Sequence, residues 1–204
     1  MIYDVYRRLA IKPKERKLWI KYLLRPVSTR LSYLIRDVTF ISPNLVTCLM
    51  LFLVFFSGFL GLIKHFKLMA ILLLLTVILD AVDGELARYR NQVTKDGKML
   101  DAVYHLATYP IIMLGIGISL NHWAGLFALC GAVCFIWSHM ASTSRGRPSV
   151  KRSWQYYAGQ LDQDHNFIFF IALFVFSGIL TYGWAALSFY TVTKFAYIFW
   201  RAKK

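Results

Sequence analysis

Leu68-Met-Ala-Ile-Leu-Leu-Leu-Leu-Thr-Val-Ile-Leu79 runs without a charge into Asp80-Ala-Val-Asp83-Gly84-Glu-Leu-Ala87-Arg88, and Gly97, Asp101 and His105 follow at regular spacing. An apolar run ending in acidic residues reads as a helix that crosses a bilayer with its last turns at the membrane edge. Charged groups at such a depth are expensive, which makes them functional candidates by default.

Working outward, the rest of the chain has the same character. Of its 204 residues 58% are hydrophobic and only 17% are charged, which excludes an ordinary soluble domain. Six apolar spans are expected, at about Leu45–Ile63, Leu68–Arg90, Leu100–Leu120, Trp123–Ala141, Phe167–Leu180 and Gly183–Trp200. Most reach the roughly 20 residues that a bilayer core requires, and the fifth is short. No apolar run long enough for a signal peptide occurs in the first 40 residues, so the amino terminus is expected to stay on the side where it was made. All lysines and arginines except Lys64 and Lys67 fall before the first span, in alternate loops or after Thr193. That asymmetry predicts a multi-pass topology with both termini and the acidic motif cytoplasmic. The net charge of +14 then collects on one membrane face, where it attracts anionic headgroups, and it does not indicate nucleic-acid binding. Cys48, Cys130 and Cys134 all fall within spans, lack metal-ligand spacing and are read as packing residues.

The expected fold is an all-α integral membrane bundle of six transmembrane helices over residues 43–204, preceded by an amphipathic cytoplasmic segment over residues 1–42. In that segment Leu18, Trp19, Tyr22, Leu23, Leu31, Leu34, Ile35 and Val38 recur at helical spacing between basic residues. This predicts an interfacial helix with its apolar face in lipid, broken or restarted at Pro26. Ser42-Pro43-Asn44 is a start signal for the first span, with Ser42 or Asn44 as its cap.

On a helix Asp80, Asp83, Gly84 and Ala87 share one face, and Gly97, Asp101 and His105 share a face of the next. The short polar link between them makes the two helices antiparallel neighbours. Two divalent metal ions fit between Asp80 and Asp83 on one side and Asp101 on the other. Without cations such carboxylates repel one another or take up protons. Hard cations held by carboxylates and substrate phosphates serve phosphoryl chemistry by neutralising a pyrophosphate and both reacting oxygens. Gly84 and Ala87 keep the face low enough for a nucleotide to approach, and Arg88 offers a fixed fork for a phosphate. The bland alternative, a charge cluster that only marks the interface, does not account for three aspartates at these spacings.

The segment resembles the signature of the CDP-alcohol phosphotransferases, D-x-x-D-G-x-x-A-R-(x)8-G-x-x-x-D-x-x-x-D, at Asp80, Asp83, Gly84, Ala87, Arg88, Gly97 and Asp101. Pro43-Asn44-x-x-Thr47 is similar to that family's opening of the first span. The resemblance implies a membrane enzyme, commonly a homodimer, that cleaves a CDP-linked alcohol and releases CMP. It further implies two Mg2+ or Mn2+ ions held by Asp80, Asp83, Asp101 and the last motif position. Asp83, Gly84, Ala87, Arg88 and Gly97 are implied to contact the nucleotide, with Thr94, Asn44 and Thr47 lining the same pocket.

The last signature position, an aspartate in the family, is His105 here. Four readings stay open: a general base, a nitrogen ligand shifting preference from magnesium toward manganese, cobalt or zinc, a substitution that silences catalysis, and a merely structural histidine. Arg145, Arg147, Lys151 and Arg152 form a basic cluster expected on the same face, read either as a positive-inside loop or as a site for an acceptor or lipid phosphate. Asp162, Asp164 and His165 are read either as contacts for a hydroxylated or amino-bearing acceptor or as partners of the neighbouring arginines; His139 is read as packed or interfacial, and His65 and His122 as remote from the chemistry. The favoured function is phosphatidyl transfer from CDP-diacylglycerol to a polar alcohol acceptor. The alternatives are transfer from a soluble CDP-alcohol to a lipid hydroxyl, and a non-catalytic membrane protein that binds nucleotide or lipid. Transport is weaker still, since no broken helix or midplane charge pair is visible.

Overall fold

The computed structural model describes residues 24–38, 40–144 and 164–202 of the chain. Within them lie seven α-helices and no strand: α1 (Arg25–Ile35), α2 (Pro43–Leu62), α3 (Phe66–Tyr89), α4 (Lys95–Leu120), α5 (His122–Ser144), α6 (Asp164–Phe176) and α7 (Leu180–Ala202). The last six coincide with the six expected apolar runs to within a turn or so. By length and composition α2, with 20 residues, and α4, with 26, can each cross a membrane. The acidic motif in the last turns of α3 dilutes its apolar character, and the apolar stretches of α5 and α6, His122–Ile136 and Phe167–Phe176, are shorter. Phe52, Phe55 and Phe59 of α2 are exposed, as a helix surface facing lipid requires.

The described residues fall into two compact units: residues up to Leu53 together with Leu75–Tyr104, and Val54–Leu74 together with the residues from His105 onward.

In the first unit, Pro26 stands in the opening turn of α1, where its missing N–H costs no hydrogen bond. The sequence predicts a helix resting its apolar stripe on lipid; the structure shows in addition a buried polar stripe on α1. Ser28, Thr29 and Ser32 are buried, while Leu34 is 73% exposed. Leu31 and Ile35 pack with Ile41, Ile78 and Leu79 against a core of Val46, Val82 and Leu86. The physical reason is Glu85 of α3, which is fully buried and draws the hydroxyls of α1 inward to satisfy its carboxylate. The part of the expected helix before residue 24 lies outside the described residues.

Arg90, just past α3, closes the other end of α1. Its Nε donates to the Arg36 carbonyl at 3.0 Å, its Nη2 to the carbonyls of Ile35 and Val38 at 2.8 and 2.9 Å, and its Nη1 to that of Ile41. One guanidinium thereby serves four carbonyls at a helix C-terminus and the turn after it. Local capping sets the other boundaries. Ser42 Oγ accepts the Leu45 N–H at 3.2 Å and starts α2. Asn91 takes a φ of 56° after α3, and Gln92 N–H reaches back to the Ala87 carbonyl at 2.9 Å. Thr94 Oγ1 accepts the Gly97 N–H at 3.0 Å and starts α4. The buried Tyr104 hydroxyl donates to Thr76 Oγ1 at 3.2 Å, tying α4 to α3.

In the second unit α2 and α4 touch through glycine. A Cβ added at Gly115 would lie 2.4 Å from the Gly58 carbonyl oxygen, so the two backbones are in contact there. Trp184 of α7 donates its Nε1–H to the Met113 carbonyl at 3.2 Å. Tyr109 stacks on Phe135 and hydrogen-bonds Thr191 Oγ1 at 2.9 Å. α7 packs along α5 and, less extensively, α6. The three cysteines are free thiols, Cys48 and Cys130 exposed and Cys134 half-buried.

Candidate active site

Thr47, buried on the first turns of α2, donates its hydroxyl hydrogen to Asp83 Oδ2 at 2.8 Å, with the Pro43 carbonyl as a second acceptor at 3.2 Å. Asp83 is half-buried and feels the charges of Asp80, Asp101 and Arg88 around it. Asp80 on α3, Asp101 on α4 and His105, one turn further along α4, each offer a ligand atom, and those atoms all lie within 4.8 Å of one another. The structure groups Asp80 with Asp101 and His105 at ligand distance, and Thr47 hydrogen-bonds one oxygen of the neighbouring Asp83.

The donor set fits a divalent cation. Ligands about 2.1 Å from an octahedral ion stand about 3 Å apart when adjacent and about 4.2 Å apart when opposite, which the three side chains reach with small adjustments. Two carboxylates suit magnesium or manganese, and an imidazole in the set tilts preference toward manganese and its neighbours.

The residues expected to meet a nucleotide gather at the same end of α3 and α4. A Cβ at Gly97 would stand 2.8 Å from Asn44 Oδ1 and 3.1 Å from Thr94 Oγ1, so the bare backbone at Gly97 is what admits Asn44. A Cβ at Gly84 would meet only Arg88 Nη1, at 3.2 Å; the guanidinium lies over that glycine. Ala87 is half-buried on the same helix. Arg145, Arg147, Lys151, Arg152 and Asp162 lie outside the described residues, and Asp164 and His165 open α6.

Sequence reasoning passed over two residues of this region. Glu85 accepts from Arg25 Nη1 at 2.8 Å, Ser28 Oγ at 3.0 Å, Thr29 Oγ1 at 3.4 Å and Ser32 Oγ at 2.7 Å. A signal for it existed, since a carboxylate within an apolar helix has to find donors. Arg90 is the other, and its four carbonyl partners are not legible from spacing.

α2 and α4 are long and apolar enough to cross a membrane, and Asp80, Asp101 and His105 form a group able to hold a divalent cation. The sequence profile of the CDP-alcohol phosphatidyltransferases matches residues 40–196, and the chain belongs to that family. Its members are transferases that take a CDP-alcohol donor and an alcohol acceptor and use divalent metals. The chain is also similar to a protein of Aquifex aeolicus (strain VF5) described as an uncharacterized protein, with 42% identity over 62 residues. That match covers 30% of this chain and 32% of the relative's length.

Proposed function

We propose that this chain is a multi-pass membrane enzyme of phospholipid biosynthesis that transfers a phosphatidyl group from CDP-diacylglycerol to a polar alcohol and releases CMP. The observation that carries the reading is the convergence of Asp80, Asp101 and His105 at ligand distance beside the Thr47-held Asp83. Two divalent cations, Mg2+ or Mn2+, would be held by Asp80, Asp83 and Asp101, with His105 beside them, and would supply charge neutralisation at the diphosphate.

The chain's own residues do the rest. Asp83, Gly84, Ala87, Arg88 and Gly97, with Asn44, Thr47 and Thr94, bind and orient the cytidine nucleotide. Arg88 is the fork for a phosphate oxygen, and Gly97 lets Asn44 approach the start of α4. The acceptor oxygen attacks the phosphatidyl phosphorus, the bond from that phosphorus to the CMP oxygen breaks, and His105 takes the hydroxyl proton. Arg145, Arg147, Lys151 and Arg152 hold a phosphate of the acceptor or the lipid. The catalytic domain, residues 43–204, has six spans with both termini cytoplasmic and works as a homodimer, and residues 1–42 form its interfacial segment.

The test is CMP release by the purified chain in lipid nanodiscs containing CDP-diacylglycerol, with a pool of alcohols and alcohol phosphates and Mg2+ or Mn2+. Release that needs both acceptor and metal, and that EDTA stops, supports the reading. Release only from a soluble CDP-alcohol, with label entering the lipid, replaces the donor. Nucleotide binding without release under any donor identifies a binding protein.

A further inference from the structure

Glu85 has no part in the chemistry just described, yet its carboxylate accepts four side-chain hydrogen bonds. It is fully buried, and its donors are Arg25, Ser28, Thr29 and Ser32. Those positions recur every three or four residues along α1, so the polar stripe of that helix is addressed to a single side chain. The ion pair with Arg25 is itself well shielded, the arginine side chain being 14% exposed. Removing one partner of such a pair strands the other without compensation.

Glu85 stands two residues beyond Asp83, which on a helix is about 200° around the axis. The end of α3 is thus held on opposite sides, by Thr47 through Asp83 and by α1 through Glu85. Arg90 secures the far end of α1 and the turn behind it from the same segment of α3. A side-chain carboxylate lies roughly 6 Å from its helix axis, so a rotation of about 10° displaces it by about 1 Å. A misplacement of that size is enough to cost about a hundredfold in rate.

We propose that Glu85 is a positioning residue: by taking the polar face of α1 it fixes the rotation of the last turns of α3, and with it the aim of Asp80 and Asp83. The inference rests on the reading of those aspartates as metal ligands. It assigns α1 a second duty beyond any membrane contact, as the outer brace of the metal site.

The experiment compares wild type, Glu85→Gln and the double variant Ser28→Ala/Ser32→Ala, each as the full chain in nanodiscs. Docking of α1 is read from the rate of tryptic cleavage after Arg30, metal affinity from Mn2+ titration by electron paramagnetic resonance, and turnover as kcat and KM. Both variants are expected to speed cleavage, weaken Mn2+ binding at least about tenfold, as loss of a support behind metal ligands does, and lower kcat more than they raise KM. Should Glu85→Gln fail to insert, Ser32→Ala, which removes only the 2.7 Å bond, carries the test. Fast cleavage with wild-type Mn2+ affinity makes α1 a structural appendage and overturns the inference. Unchanged cleavage in both variants overturns it too, because Glu85 then does not hold α1. Absence of Mn2+ binding in the wild type overturns the metal-site reading itself, and this inference with it.

Discussion

Thr47 and Asp83, 36 positions apart in sequence, are joined by a 2.8 Å hydrogen bond that ties the start of α2 to the motif end of α3. Because the Thr47 hydroxyl is buried, it aims one oxygen of Asp83 and shields it from water. Thr47→Val should therefore cost about 1–2 kcal/mol of stability and reduce turnover, while Thr47→Ser retains both. Thermal unfolding and CMP release, measured side by side, check the pair.

Asp83→Asn and Asp101→Asn keep size and remove charge. Each should abolish turnover while leaving the protein inserted and folded, with Mn2+ binding weakened in the same titration. An Asp83→Asn variant that turns over at the wild-type rate would sink the metal-site account.

His105 separates base from ligand. His105→Gln removes the proton acceptor; turnover lost with Mn2+ affinity intact assigns the imidazole to proton transfer, and affinity lost with turnover assigns it to coordination. His105→Asp restores the carboxylate, and a gain of activity with Mg2+ relative to Mn2+ is expected if the imidazole mainly tunes the metal.

Gly97→Ala and Gly84→Ala should differ. At Gly97 the new methyl meets Asn44 Oδ1 at 2.8 Å, whereas at Gly84 it meets only the end of the long Arg88 side chain, at 3.2 Å. Nucleotide binding, followed by isothermal titration with CDP, is expected to fall about tenfold or more for Gly97→Ala and much less for Gly84→Ala. Helix stability should be unharmed in both, since alanine is the better helix former.

Away from the site, Gly115→Ala forces a methyl to 2.4 Å from the Gly58 carbonyl oxygen, which is backbone and gives way only if two helices part. A loss of about 1–3 kcal/mol is expected, read as a lower melting temperature in nanodiscs. Gly131→Ala is the control, with its nearest neighbour, Thr191 Oγ1, at 3.4 Å.

Apolar runs, helix boundaries and the acidic signature were legible in the sequence because each is a local property. Ser42 and Thr94 cap the helices that follow them within three residues, and Asn91 ends α3 in the same local way. Spacing alone also places Asp101 and His105 on one face of α4, and Asp80 and Asp83 on one face of α3. What spacing leaves open is which of these faces another helix and which is taken up by a neighbour.

Only the tertiary structure decided those matters. It put Asp80 with Asp101 and His105, gave Asp83 to Thr47, and brought Asn44 against Gly97. It also turned Ser28, Thr29 and Ser32 of α1 inward beside Leu31 and Ile35 and left Leu34 exposed. The physical reason is the same in each case. Hydrophobic periodicity and capping act over three or four residues, but a buried charge takes its partner wherever the fold brings donors. Glu85 finds Arg25 across 60 positions, and no local pattern encodes that distance.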